Sequence, residues 1–215
     1  MHAIVVTGKA SIKDCDELRF ENMAVSVINE LIKKFNFKRW NILKRWNTYK
    51  LISGSSKKIK ADLEKVFIEK QKQDILLIYI GHGQENGWAL SGIRDIDSLN
   101  YEELSLILAH HEGRLIFLNC CCFAGAAKWP LASHFGEHLL IAAMPEYKFG
   151  YVNNFFQYIF EDWSAHRLYN PHMSYDNFDS IPQVEGNEEL QRLFFVNNLK
   201  IWEIMKKMIM KLFSQ

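Results

Sequence analysis

Asp74-Ile-Leu-Leu-Ile-Tyr-Ile-Gly-His-Gly83 and its echo Arg114-Leu-Ile-Phe-Leu-Asn-Cys-Cys-Cys-Phe-Ala-Gly125 decide how this chain folds. Each is a short, almost purely apolar run that stops abruptly in reactive residues and glycine. Such a run, rich in branched residues and too short for a helix, reads as a strand buried on both faces. Strands of this kind belong to a mainly parallel sheet covered by helices, whose working groups lie just beyond the strands' carboxyl ends. Here those ends carry His82 between two glycines and the triplet Cys120, Cys121 and Cys122.

Working outward, the pattern alternates strand and helix. Ala3-Ile-Val-Val-Thr7 reads as an opening strand, and 16–35 as a helix with one apolar stripe through Leu18, Val27 and Leu31. Lys38-Arg-Trp-Asn-Ile-Leu-Lys44 is expected as a polar second strand near an edge. Gly54-Ser-Ser56 breaks the pattern and caps a helix over 57–70. A small hairpin is expected around Trp88-Ala-Leu-Ser91, and Asn100-Tyr-Glu-Glu103 has the form of a capping box opening a helix to Ala109. His138-Leu-Leu-Ile-Ala-Ala-Met144 is another buried strand, followed by an aromatic helix over 151–164. The segment 165–187 reads as a long loop, 192–196 as a last strand and 198–213 as a closing helix. The whole predicts an α/β fold, a three-layer α/β/α sandwich with a mainly parallel sheet of about six strands, as one domain over 1–215.

Composition narrows the function. A formal net charge of +1 offers no global attraction to nucleic acid or an anionic membrane. No apolar run approaches the roughly 20 residues that span a bilayer. Met1-His-Ala-Ile-Val-Val-Thr-Gly8 lacks a basic leader and reads as a core strand. Three consecutive cysteines make a poor disulfide framework, which points to a reducing, cytoplasmic compartment where a thiol stays free to act.

As chemistry, a histidine and a cysteine at neighbouring strand ends suggest a base and a nucleophile, since thiolate attacks and a nearby imidazole favours it. Glycines beside His82 let backbone approach a ligand closely. The N–H of Gly83, with that of the cysteine, would polarise a carbonyl oxygen. The competing chemistries are weaker. Gly81-His-Gly83 lacks the Lys and Ser/Thr of a phosphate loop, and Gly8 opens no Gly-x-Gly-x-x-Gly. Neighbouring strand residues point to opposite faces, so three adjacent cysteines do not easily share one metal. His110-His111 is expected to complement a helix C-terminus.

The order and flanks of these residues add a resemblance. Ile78-Tyr-Ile-Gly-His-Gly83 and Cys122-Phe-Ala-Gly125 are similar to the two motifs of caspase-like cysteine peptidases, the group of caspases, metacaspases and paracaspases. The likeness extends more loosely from Ala3 through Trp163. It implies a cysteine endopeptidase acting on protein or peptide substrates, with catalytic roles for His82, Gly83 and one cysteine; the alternative is a catalytically weak or inactive caspase-like fold serving as an interaction module. In the family pattern glycine follows the attacking cysteine by three residues, which selects Cys122. Leu118-Asn-Cys-Cys121 also imitates the family's strand ending, and a shift of one residue moves the role to Cys121. The metacaspase aspartate that lies two residues before the nucleophile is here Cys120 (or Asn119), so Cys120 is expected on the substrate side without the acidic pocket.

The implied chemistry calls for no cofactor. A metacaspase-like calcium requirement is compatible with the resemblance, but the sequence shows no carboxylate cluster for it. The tail stripe Ile201, Met205, Met208, Ile209 and Leu212 is expected to pack on the sheet or to present a regulatory partner with an adaptable methionine surface.

Overall fold

The computed structural model describes residues 2–9, 20–26, 49–90, 97–148 and 183–191. The chain passes through β1 (His2–Thr7), helical residues 20–26 (α1), β2 (Tyr49–Ser53), α2 (Ser56–Glu69) and β3 (Ile75–Ile80). It continues through β4 (His82–Gln84), β5 (Gly87–Ala89), β6 (Ser98–Asn100), α3 (Tyr101–Leu108) and β7 (Leu115–Cys120). A short α4 (Lys128–Leu131), β8 (His138–Ala142) and β9 (Gln183–Gly186) complete it.

Among the described residues, six strands form one sheet in the order β2-β1-β3-β7-β8-β9. All its pairs are parallel except β8 with β9. The order reverses direction once: the chain steps from β1 outward to β2, then returns past β1 to β3. Right-handed crossovers then place α1 on one face and α2 and α3 on the other, giving three layers. Every residue of β3 and of β7 is buried, as continuous apolar strands inside such a sandwich must be. α2 turns Ile59, Leu63, Val66 and Phe67 inward, and Ser55 caps it by accepting from the Lys58 N–H. α3 begins with the expected capping box between Asn100 and Glu103.

Two sheet edges differ from the sequence expectation. The strand beside β1 is Tyr49–Ser53, and the run 38–44 lies outside the described residues. β9 falls at Gln183–Gly186, inside the stretch expected to be loop, while 192–196 lies outside the described residues. Edge strands carry few apolar residues because only part of their surface meets the core, so periodicity signals them poorly. The helices expected over 151–164 and 198–213, the latter with its suggested partner surface, also lie outside the described residues.

A third difference concerns His111. It is fully buried at the pole opposite the strands' carboxyl ends, with its Nδ1 2.8 Å from Nε2 of buried His134. The outer ring nitrogens meet carbonyl oxygens, His111 Nε2 at Gln73 and His134 Nδ1 at Gly136. Burial lowers the pKa of both rings, and burial together with the charge of His111 carries His134 down to about 4. An unfolded chain takes up these protons near the ordinary histidine value, whereas the fold resists them. Stability is therefore full above pH 6.5 and is lost as pH falls toward 4. Thermal melts from pH 7 to 5 are expected to drop by at most about 1.4 kcal/mol per pH unit for each proton. A His134→Gln protein should show a shallower drop.

Candidate active site

β3 ends at Ile80, and Gly81 extends its ladder by one bond, donating its N–H to the Cys120 carbonyl at 3.3 Å. The chain then turns directly into the β4–β5 hairpin. His82, first in β4, is half-buried, and its ring packs edge-to-face on Phe20 of α1 at 5.0 Å. Gly83 follows. A Cβ there would lie 2.0 Å from the Cys122 carbonyl oxygen and 2.8 Å from Cys121 Sγ. Only a residue without a side chain lets the hairpin approach the cysteine loop this closely.

The hairpin also orients the Gly83 amide. Residues 85 and 86 form a two-residue turn, so its flanking pair Gln84 and Gly87 is the hydrogen-bonded one, and bonded and non-bonded pairs alternate from there. Gly83 opposite Trp88 is thus a non-bonded pair, and its N–H points away from β5.

On β7 the ladder stops at Cys120, paired with Ile80. The chain then leaves the strand through Phe123, whose φ of 54° and ψ of 23° are left-handed, a costly conformation for a bulky residue. This turn is pinned from behind. The Phe123 N–H donates to the Lys148 carbonyl at 2.9 Å and the Gly125 N–H to that of Met144 at 2.8 Å. The turn separates the three thiols. Cys120 and Cys121 are fully buried, and burial pushes both well above the ordinary thiol value. Cys122 is partly exposed. Reactive thiols are accessible ones, whereas buried thiols in apolar surroundings are inert. Cys120, expected on the substrate side, is buried in the hydrophobic core at the last position of β7.

The sequence-predicted residues His82, Gly83 and the cysteine triplet thus lie at adjoining strand ends. The contacts of Asn119, Trp88 and Tyr79 were not foreseen. Asn119, buried in β7, accepts from Trp88 Nε1 at 3.2 Å and from Cys121 Sγ at 3.4 Å through its Oδ1. Its Nδ2 donates to the Ala124 carbonyl at 2.8 Å and to the Tyr101 hydroxyl at 3.3 Å. All four hydrogen-bonding positions of this amide are therefore occupied, and none is left for a substrate. The Tyr79 hydroxyl donates to the His82 carbonyl at 2.8 Å, with that of Ala89 a second acceptor at 3.3 Å. Tyr79 also stacks on Trp88, centroids 4.2 Å apart. The available signal was a lone amide inside an otherwise apolar strand, since a buried polar residue is more informative than another buried apolar one.

Among the described residues no group of three or more His, Cys, Asp or Glu is arranged to hold a metal ion, and no helix is long and apolar enough to cross a membrane.

Gly83→Ala is expected to push the hairpin off the cysteine loop, because the obstructing atom is backbone. A lowered melting temperature is the expected result, and an unchanged melt would show that the hairpin does not depend on this approach.

No family model matches the chain, and no curated protein does. Among solved structures it is similar to caspase-1 from Spodoptera frugiperda, with a TM-score of 0.52 and 11% identity, over 86% of this chain and 85% of that one. It is also similar to a secreted C11 cysteine protease from Bacteroides thetaiotaomicron, at a TM-score of 0.44 and 13% identity, covering 89% and 68% respectively. Raptor from Chaetomium thermophilum gives 0.38 and 10%, covering 74% of this chain and 17% of that one. By its strand order and by its likeness to the insect caspase, this chain has a caspase-like α/β fold.

Proposed function

We propose that the chain is a cysteine endopeptidase of protein or peptide substrates, working in a reducing, cytoplasmic setting without a cofactor. The observation that carries this reading is the contact of Gly83 with the carbonyl of Cys122, which joins the His82 hairpin to the cysteine loop. In the proposed reaction the Cys122 thiolate attacks the substrate carbonyl carbon. The oxyanion is held by the N–H groups of Gly83 and Cys122. His82 in its protonated form gives its proton to the departing amine, leaving a thioester on Cys122. His82 then takes a proton from water, whose hydroxide attacks the thioester and releases the acid. The partial exposure of Cys122 and the burial of its two neighbours support the choice of sulfur.

The test is cleavage of a diverse peptide library, paired with labelling by an acylating peptide probe. Cleavage and labelling that both disappear in a folded His82→Ala protein support the reading. An absence of cleavage together with labelling indifferent to His82 would leave a caspase-like fold acting as an interaction module.

A further inference from the structure

We propose that Tyr79, Trp88 and Asn119 are positioning residues that lock the His82 loop to the Cys122 loop, so that catalytic alignment is set from inside the core. The proposal rests on the reading of His82 and Cys122 as the reactive pair. The three residues come from different elements and touch in sequence. At one end the Tyr79 hydroxyl donates to the carbonyl of His82 at 2.8 Å. Its ring lies flat on Trp88, with 5° between the planes. Trp88 Nε1 donates to Asn119 Oδ1, and Asn119 Nδ2 holds the carbonyl of Ala124, two residues beyond Cys122.

Each link is directional. Trp Nε1 is only a donor, so the atom of Asn119 that faces it must be the oxygen, and the nitrogen must face the Ala124 carbonyl. Burial raises the Tyr79 pKa well above its ordinary value, so the hydroxyl stays protonated and remains a donor. Glycines also make room for the hydroxyl. A Cβ on Gly81 would stand 2.4 Å from it, and one on Gly8 would stand 3.0 Å away. Trp88 sits opposite Gly83 in the hairpin, so the residue that relays to Asn119 is also the strand partner of the proposed oxyanion donor.

The test is a pH profile of Cys122 alkylation by iodoacetamide, read site by site by mass spectrometry on the full chain. The proteins compared are wild type, His82→Ala, Tyr79→Phe and Trp88→Phe, each checked for folding by circular dichroism and thermal melt. Tyr79→Phe removes one oxygen and keeps the stacked ring, and Trp88→Phe removes the Nε1 donor. The wild type should carry a His82-dependent component below pH 7. Loss of one hydrogen bond should shrink that component about fivefold in either variant. A folded Tyr79→Phe or Trp88→Phe protein whose profile matches wild type, while His82→Ala differs, overturns the proposal and leaves the dyad standing. Identical profiles for wild type and His82→Ala overturn the dyad, and the positioning role with it.

Discussion

Replacing His82 by alanine is expected to lower peptide hydrolysis by about 100- to 10,000-fold, the range that positioned proton transfer contributes. The fold should survive the change. His82 is half-buried at the first position of a three-residue strand, beyond the end of β3, and its ring meets buried Phe20 edge-on. The hydrogen bond that Tyr79 makes to residue 82 uses the backbone carbonyl, which alanine retains. The measurements are steady-state turnover on a library-derived peptide and a melting curve for the same protein. Turnover near wild type in a folded His82→Ala protein would sink the proposed mechanism.

The second large effect is expected at the cysteines, where single alanine substitutions should separate three roles. Cys122→Ala should lose more than about 1,000-fold in turnover, as removal of a nucleophile does, and should form no adduct with an acylating inhibitor. Its stability should change little, because the side chain is partly exposed. Cys121→Ala should keep the adduct with reduced turnover, since its thiol donates to Asn119 Oδ1 and lies against Gly83. Cys120→Ala should act through packing, because Cys120 lies in the core. Mass spectrometry of the adduct decides among them. An adduct that persists in Cys122→Ala and vanishes in Cys121→Ala would transfer the nucleophile to Cys121.

These outcomes differ because the chain turns within the triplet. Strict alternation would put Cys120 and Cys122 on one face, but β7 stops at the residue paired with Ile80. The left-handed Phe123 then redirects the backbone. No local preference of phenylalanine foretells that conformation. It persists because the carbonyls of Lys148 and Met144 receive the turn's N–H groups and Asn119 holds Ala124. All of these contacts join residues that periodicity treats as unrelated.

The amino-acid sequence by itself determined the central strands, the apolar stripe of α2, the capping box of α3 and the residues at the two strand ends. Those features rest on short-range physics: the length of an apolar run, a three-to-four-residue spacing, a side chain capping an N–H three residues on. Only the tertiary structure decided that β2 is Tyr49–Ser53 and that the polar segment Gln183–Gly186 closes the sheet against β8. An edge strand is selected by the unpaired backbone beside it as much as by its own side chains. Tertiary structure likewise buried Cys120 and Cys121, left Cys122 partly exposed and gave Asn119 its four partners. Burial and hydrogen-bond satisfaction belong to the environment that distant segments assemble, and one strand's composition does not contain them.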